Sequence, residues 1–207
     1  MEELKMKLRV GKCMVSTEVN GPGKRFVIWL QGCRFGCKGC YNPEFWDESG
    51  GTLMSVDDIM AQINSTDGIK GVAFTGGEPL LQSEALLQLV DQIKSSELTI
   101  VCYTGYLMSN ILNDEIPYAK EFIEKIDILI DGLFNEQEKA PLLWRGSRNQ
   151  RIHFLSERYK HLESLVLKEG TREVEIQIGS EGMNITGFFE MEMWNKLKEK
   201  MNKKHLI

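Results

Sequence analysis

No apolar run in this 207-residue sequence comes near the roughly 20 residues that span a bilayer; the longest, such as Phe26 to Leu30, are far shorter. The charged opening Met1-Glu2-Glu3-Leu4-Lys5-Met6-Lys7 lacks the apolar stretch of a secretory signal, so a cytoplasmic location and no membrane partner are expected. Positive charge is not in excess either. Lys and Arg number 25 against 30 Asp and Glu, a formal balance of −5, which argues against a general nucleic-acid binder. Internal repeats, low-complexity tracts and Pro/Ser-rich linkers are missing, and histidine is scarce, at three: His153, His161 and His205. What remains is ordinary globular usage, 42% hydrophobic and 27% charged, in a chain long enough to bury a sizeable core. One domain with at most a small appendage is expected. A full eight-stranded α/β barrel, which takes about 250 residues, would be cramped.

The pattern along the chain is α/β. Lys24 to Leu30 reads as a buried strand after the turn Gly21-Pro22-Gly23. Ser55-Val56-Asp57-Asp58 reads as a helix start, with Val56, Ile59, Met60 and Ile63 on its apolar face. Gly71 to Thr75 is a strand running into Gly76-Gly77, and Ser83 is expected to cap a helix whose face is Leu86, Leu87, Val90 and Ile93. Leu98 to Tyr103 is the next strand, broken at Thr104-Gly105. Tyr118, Phe122 and Ile126 mark a short helix, and Asp127 to Ile130 a strand stopping at Asp131-Gly132. Such alternation predicts a mostly parallel sheet, whose ligands bind at the carboxyl ends of the strands. The loops after four predicted strands would then converge on one rim.

The tail has a different character. Val174, Ile176 and Ile178 alternate with Glu173, Glu175 and Gln177; Gly179-Ser180-Glu181-Gly182 turns; Met183-Asn184-Ile185-Thr186 alternates again. That predicts a β-hairpin with one wet face. Trp194, Leu197 and Met201 mark one face of a last helix. The expected division is a core over 1–154 and an extension over 155–207 packed on it.

Five cysteines make an odd count, and a disulfide framework is a poor reading in a reducing compartment. Three of them, Cys33-Arg-Phe-Gly-Cys37-Lys-Gly-Cys40, share one loop with the spacing C-x3-C-x2-C. Three thiolates on a compact glycine-containing loop can wrap one soft-metal centre. A four-iron cluster normally takes one cysteine per iron, so three ligands leave one iron open for a substrate or cofactor. Zinc is the alternative, with Cys13 or Cys102 folding back as fourth ligand; otherwise those two read as buried strand thiols.

Cys33, Cys37 and Cys40 after one strand and Gly76-Gly77-Glu78-Pro79 after another resemble the signature of the radical S-adenosylmethionine (SAM) enzymes. Within that superfamily the chain is similar to the small activating proteins of glycyl-radical enzymes, those of anaerobic ribonucleotide reductase in particular. Cys37 to Pro43 with Trp46, Tyr103-Thr104-Gly105-Tyr106, and Asp131-Gly132 leading to Trp144-Arg145-Gly146-Ser147-Arg148-Asn149-Gln150-Arg151 carry the likeness, over about residues 10–153. The resemblance implies an incomplete parallel β/α barrel of radical SAM type, with the hairpin and helix as a C-terminal extension. It implies a [4Fe-4S] cluster held by the three cysteines, its open iron chelated by SAM. Cofactor contacts implied are Gly39 and Tyr41 beside the adenine, Gly76 and Gly77 for the methionyl amino group, Glu78 and Pro79 shaping that loop, and Thr104 and Asp131 at ribose or methionine positions. Trp144, Arg145, Arg148 and Arg151 would close one side of the site or meet a partner protein.

The implied chemistry is one-electron cleavage of SAM to methionine and a 5′-deoxyadenosyl radical, which removes a Cα hydrogen from a glycine of a partner glycyl-radical enzyme. A flavodoxin- or ferredoxin-type protein would be the reductant. Two other readings stay open on sequence: a small radical SAM enzyme acting directly on a metabolite or peptide, and a non-catalytic iron–sulfur carrier or sensor.

Overall fold

The computed structural model describes residues 6–16, 19–170, 173–179, 182–189 and 191–203. Its strands and helices follow one another as β1 (Lys7–Ser16), β2 (Arg25–Leu30), β3 (Thr52–Ser55), α1 (Val56–Asn64), β4 (Gly71–Gly76), α2 (Ser83–Ile93), β5 (Thr99–Tyr103), α3 (Met108–Leu112), α4 (Ala119–Ile123), β6 (Ile128–Asp131), β7 (Lys139–Leu142), β8 (Arg145–Ser147), β9 (Arg151–Phe154), α5 (Glu163–Val166), β10 (Val174–Gly179), β11 (Gly182–Gly187) and α6 (Met191–Lys203).

Apolar runs too continuous for a half-wet strand dictate the centre of the sheet. Every residue of Arg25–Leu30 is buried, as are all four of Ile128–Asp131. Strands of this kind must be covered on both faces, as parallel strands are. Accordingly β2, β4, β5 and β6 pair in parallel, in that order. The full sheet runs β3-β1-β2-β4-β5-β6-β9 and does not close on itself. Its outer strands are antiparallel: β1 on β2, β3 on β1 and β9 on β6. The architecture is therefore mixed α/β around a parallel centre rather than parallel throughout. Among the strands absent from the sequence reading is β1, whose alternation is broken by a register shift between Val10 and Lys12 and diluted by three cationic residues, Lys7, Arg9 and Lys12.

Side chains alternate across the sheet, as the two-residue period of a strand requires. Phe26, Ile28, Leu30, Val72, Phe74, Ile100 and Leu129 enter one core with α1, α2 and α4. Val27, Trp29, Ala73, Val101, Ile128 and Ile130 enter a second, covered by Leu143, Trp144 and Val166. Helix α1 starts where expected: the Ser55 Oγ accepts from the Asp58 backbone N–H at 3.1 Å, and Asp57 and Asp58 sit in the first turn, where the helix dipole favours them. Ser83 is not a cap. It is the first helical residue, and its hydroxyl donates instead to the Pro117 carbonyl at 2.5 Å. Leu89, rather than the half-buried Leu87, completes that helix's buried face.

In the tail, β10 and β11 form the expected hairpin. Its turn residues Ser180 and Glu181 lie outside the described residues, as do His205 and the side chains of Trp194 and Met201. The wet face is the unexpected one. Ile176 and Ile178 are 42% and 71% exposed. The alternate residues Gln177, Asn184 and Thr186 make the hydrogen bonds to the core instead, and polar groups that hydrogen-bond across a contact compete with apolar burial for the inner face. Replacing Ser55 by alanine removes an N-cap and is expected to lower stability by ~1 kcal/mol in urea unfolding of the apoprotein, with an unchanged m-value.

Candidate functional site

The carboxyl ends of the parallel strands open into a cavity of about 400 Å³. Cys33, Cys37 and Cys40 form part of its wall, together with Gly76, Gly77 and Glu78 after β4, Thr104 and Gly105 after β5, and Gly132 after β6. The convergence expected of these loops is thus present in the fold.

Local backbone bonds hold the cysteine loop. The Gly32 and Cys33 N–H groups donate to the carbonyls of Phe45 and Trp46 at 2.9 and 3.1 Å, and the Cys40 N–H donates to the Cys37 carbonyl at 3.1 Å. From the strand beside it, the N–H groups of Gly77 and Glu78 donate to the carbonyls of Leu30 and Gly32, both at 2.8 Å. This close crossing needs glycine: a Cβ on Gly77 would lie 2.2 Å from the Gly32 carbonyl oxygen, and Gly76 adopts a φ of +102°.

Glu78 is buried beneath the loop. Its Oε1 accepts from the Leu80 N–H at 2.9 Å and the Thr104 hydroxyl at 2.8 Å, and its Oε2 from the Gly105 N–H at 2.7 Å. Burial pushes its pKa up to about 7, against the pull of those three donors. Burial likewise pushes the Cys33 and Cys37 thiols up, reinforced by neighbouring thiolates and by Glu78. Such a donor set calls for a strongly positive centre. Among the described residues no three His, Cys, Asp or Glu side chains gather at the spacing of a single bound ion. The loop brings three thiols to a cavity with no further Cys or His among its lining residues, short of the usual structural zinc set, whereas a cluster that takes one cysteine per iron can leave one iron open. Cys13 and Cys102 are not in the wall; Cys102 is fully buried in β5 and Cys13 partly buried in β1.

Tyr41 also lines the cavity, its ring 5.2 Å from that of Phe134 and 5.2 Å from that of Phe188. Gly39, Pro79 and Asp131 do not. Gly39 faces Glu136 and Phe134, and Pro79 is buried in the turn that follows Glu78. Asp131 is buried at the end of β6, accepting from the Met108 N–H at 2.7 Å and lying 3.1 Å from His153 Nε2. Burial would raise its pKa, but hydrogen bonds from His153 and Met108 hold it below the usual carboxylate range.

The arginine stretch reaches the cavity through a different residue. Trp144 is buried under the sheet, and Arg145 donates to the carbonyls of Gln150 at 2.9 Å and Val166 at 2.8 Å. Arg148 is paired with Glu169, and Arg151 lies exposed on β9. Gln150, inside the same motif, is the one that lines the wall; it accepts from the Gly146 N–H and donates to the Gly132 carbonyl. Also beyond sequence reasoning were Lys12, Asn20, Trp29 and Phe35, and the hairpin residues Met183 to Phe189. The hairpin was legible as a hairpin, but nothing in its pattern told where it docks.

Because the folded pKa of Glu78 is raised above 4.5, its contribution to stability is greatest below about pH 4.5 and is lost as pH rises to about 7. Apoprotein stability measured against pH is expected to show this fall in the wild-type chain but not in Glu78→Gln. The variant also sets an amide group against the N–H donors, costing about 1–3 kcal/mol near pH 7.

The family model described as a 4Fe-4S single cluster domain matches residues 19–153. Anaerobic ribonucleoside-triphosphate reductase-activating proteins are similar over the same breadth. That of Haemophilus influenzae is 38% identical over 149 residues, covering 65% of this chain and 90% of the relative. Those of Vibrio cholerae and phage T4 are 37% and 35% identical, covering 90% and 86% of the relatives. A cysteine loop with no further Cys or His among its cavity's lining residues, set against a glycine-lined strand end, agrees with these matches, and the chain belongs to the 4Fe-4S single-cluster family of anaerobic ribonucleoside-triphosphate reductase-activating proteins.

Proposed function

We propose that this protein is a radical SAM activase, which generates a glycyl radical on a partner of the anaerobic ribonucleotide reductase type. The observation that carries the reading is the shared cavity: three cysteines of one loop and the Gly76–Glu78 strand end face the same space, with no further Cys or His among its lining residues. Cys33, Cys37 and Cys40 would hold a [4Fe-4S] cluster. With SAM bound, such a cluster, once reduced by an external one-electron donor, would supply the electron for cleavage of SAM to methionine and a 5′-deoxyadenosyl radical able to take a glycine Cα hydrogen. Among the three readings left open by the sequence, the named relatives favour this one over direct action on a small substrate and over electron carriage.

The chain's own residues bind, orient and exclude water. Gly76 and Gly77 present backbone free of side chains to the cavity, the arrangement needed to receive a polar ligand group at close range. Glu78 and Thr104 fix that backbone relative to the cysteine loop. Tyr41, with Phe134 and Phe188, offers an apolar surface for the planar part of SAM. Trp144 and Arg145 brace the segment from which Gln150 reaches the site, and Asp131 braces α3; Gly39, Pro79, Arg148 and Arg151 act, in this reading, through loop shape or partner contact. The sheet β2-β4-β5-β6 would be the parallel part of an incomplete barrel, with 1–154 the working core and 155–207 an extension of it. An electron donor of flavodoxin or ferredoxin type is expected. No described helix is long and apolar enough to cross a membrane, and the acidic balance gives no basis for nucleic-acid binding.

The decisive assay is anaerobic: reconstitute the cluster, add dithionite and SAM, and quantify 5′-deoxyadenosine. Product is expected from the wild-type chain and none above background from Cys37→Ala. Absence of product from a fully loaded wild-type cluster would return the reading to electron transfer or sensing.

A further inference from the structure

The family model ends at residue 153, yet part of the cavity wall comes from beyond it. Residues 183–189 of the hairpin line the same cavity as the three cysteines. The Phe188 ring packs edge-on against Tyr41 at 5.2 Å and lies 6.4 Å from Tyr103, and the Phe189 ring lies 6.0 Å from Tyr41. Tyr41 and Phe134 come from the core, so an aromatic enclosure is built half by the core and half by the tail. SAM has one large flat apolar part, its adenine, and its opposite end is polar. The aromatic side of the cavity suits the first, and the glycine-lined strand end suits the second.

Polar ties hold this wall in place. The Thr186 hydroxyl donates to Asn20 Oδ1 at 2.9 Å in a buried contact, Lys12 Nζ donates to Asn184 Oδ1 at 2.7 Å, and Gln177 Nε2 donates to the Val15 carbonyl at 2.6 Å. Lys12 also lies 5.6 Å above the Trp29 ring. Ile176 and Ile178, which could have anchored the hairpin by burial, face outward. A segment tied in part by hydrogen bonds, with two of its apolar residues in solvent, opens at lower free energy than one whose apolar residues are all seated on a core.

We propose that the C-terminal hairpin completes the SAM site in cis, as a latched and displaceable wall in which Phe188 bounds the adenine end. This rests on the radical SAM reading and adds to it a binding role for the extension. Phe188 acts here as a wall residue against the ligand, while Asn20, Asn184, Thr186 and Lys12 position it.

The test uses the full chain, reconstituted anaerobically with iron and sulfide. SAM affinity is measured by equilibrium dialysis, and amide hydrogen exchange over 183–189 is followed with and without SAM. Phe188→Ala is expected to weaken SAM binding about tenfold at unchanged iron content, near the upper end of what one aromatic contact contributes. Phe188→Tyr should restore binding, and SAM should slow exchange across 183–189 in the wild-type chain. The double variant Asn184→Ala/Thr186→Val should exchange faster there before SAM is added, even if Phe188→Ala loads its cluster poorly. Wild-type affinity in Phe188→Ala, together with exchange over 183–189 that SAM leaves unchanged, would overturn the proposal and leave the radical SAM reading standing. A wild-type chain that loads its cluster but binds no SAM would bring down both.

Discussion

The rim of this molecule is assembled around one carboxylate. Glu78 joins the end of β4 to the end of β5 through the Thr104 hydroxyl and the Gly105 N–H, and its third acceptor contact starts the turn at Leu80. That turn delivers Gln82, whose side chain accepts from the Arg9 N–H and donates to the carbonyls of Arg9 and Gln31. Gln31 in turn donates to the Asp47 carbonyl. A chain of hydrogen bonds therefore runs from the centre of the sheet to β1 and to the turn that holds the cysteine loop. Buried networks of this kind are cheap only when every member is satisfied, and here the central carboxylate has three donors.

Electrostatics and geometry meet at the same residue. Burial is the main cause of the raised thiol pKa values of Cys33 and Cys37, and Glu78 adds to it. Three thiols and two glutamates, Glu44 and Glu78, line the cavity, while Lys12 is its one Lys or Arg among the described residues. An acid-rich enclosure disfavours the thiolate state that metal ligation needs, until a bound cation inverts the balance. The donor set is thus suited to iron, and the sulfonium charge of SAM adds a second positive group to the same space.

The fold and the cluster loop were readable because each rests on a local signal. Lys24–Leu30, Gly71–Thr75 and Leu98–Tyr103 are apolar runs bounded by turn residues, and a buried parallel strand leaves that trace whatever surrounds it. The cysteine spacing and Gly76-Gly77 are local as well. What escaped depends on contacts distant in sequence. Strand β1 carries three charges in ten residues and is interrupted, and becomes a strand through pairing with β2 and β3. Ser83 looks like a cap because serine often is one; the Pro117 carbonyl, 34 residues away, takes its hydroxyl instead. Gln150 sat inside a recognised stretch whose arginines attract notice first, yet Arg145 and Arg148 reach Val166 and Glu169 while the neutral side chain faces the cavity. Ile176 and Ile178 show the limit of periodicity: alternation tells that two faces differ, and the docking partner decides which is covered.

That limit bears on how an open sheet of this size can work at all. One face of the parallel strands is covered by helices in the usual way, but the other faces the space that a closed barrel would enclose. Here Leu143, Trp144 and Val166 fill its middle. At the amino end of the strands the fully buried Arg25 donates to the carbonyls of Val72 and Thr99 and to the Tyr159 hydroxyl, fastening the segment after β9 across the opening. Arg145 does the same from the side through the Val166 carbonyl. The carboxyl end is hollow around the cysteine loop, and the hairpin borders it. Residues beyond the family's matched region, Tyr159, Val166 and the hairpin, thus cover part of this face of the open sheet. Apolar side chains fill the middle of the inner face, and the cysteines line the cavity at its carboxyl end.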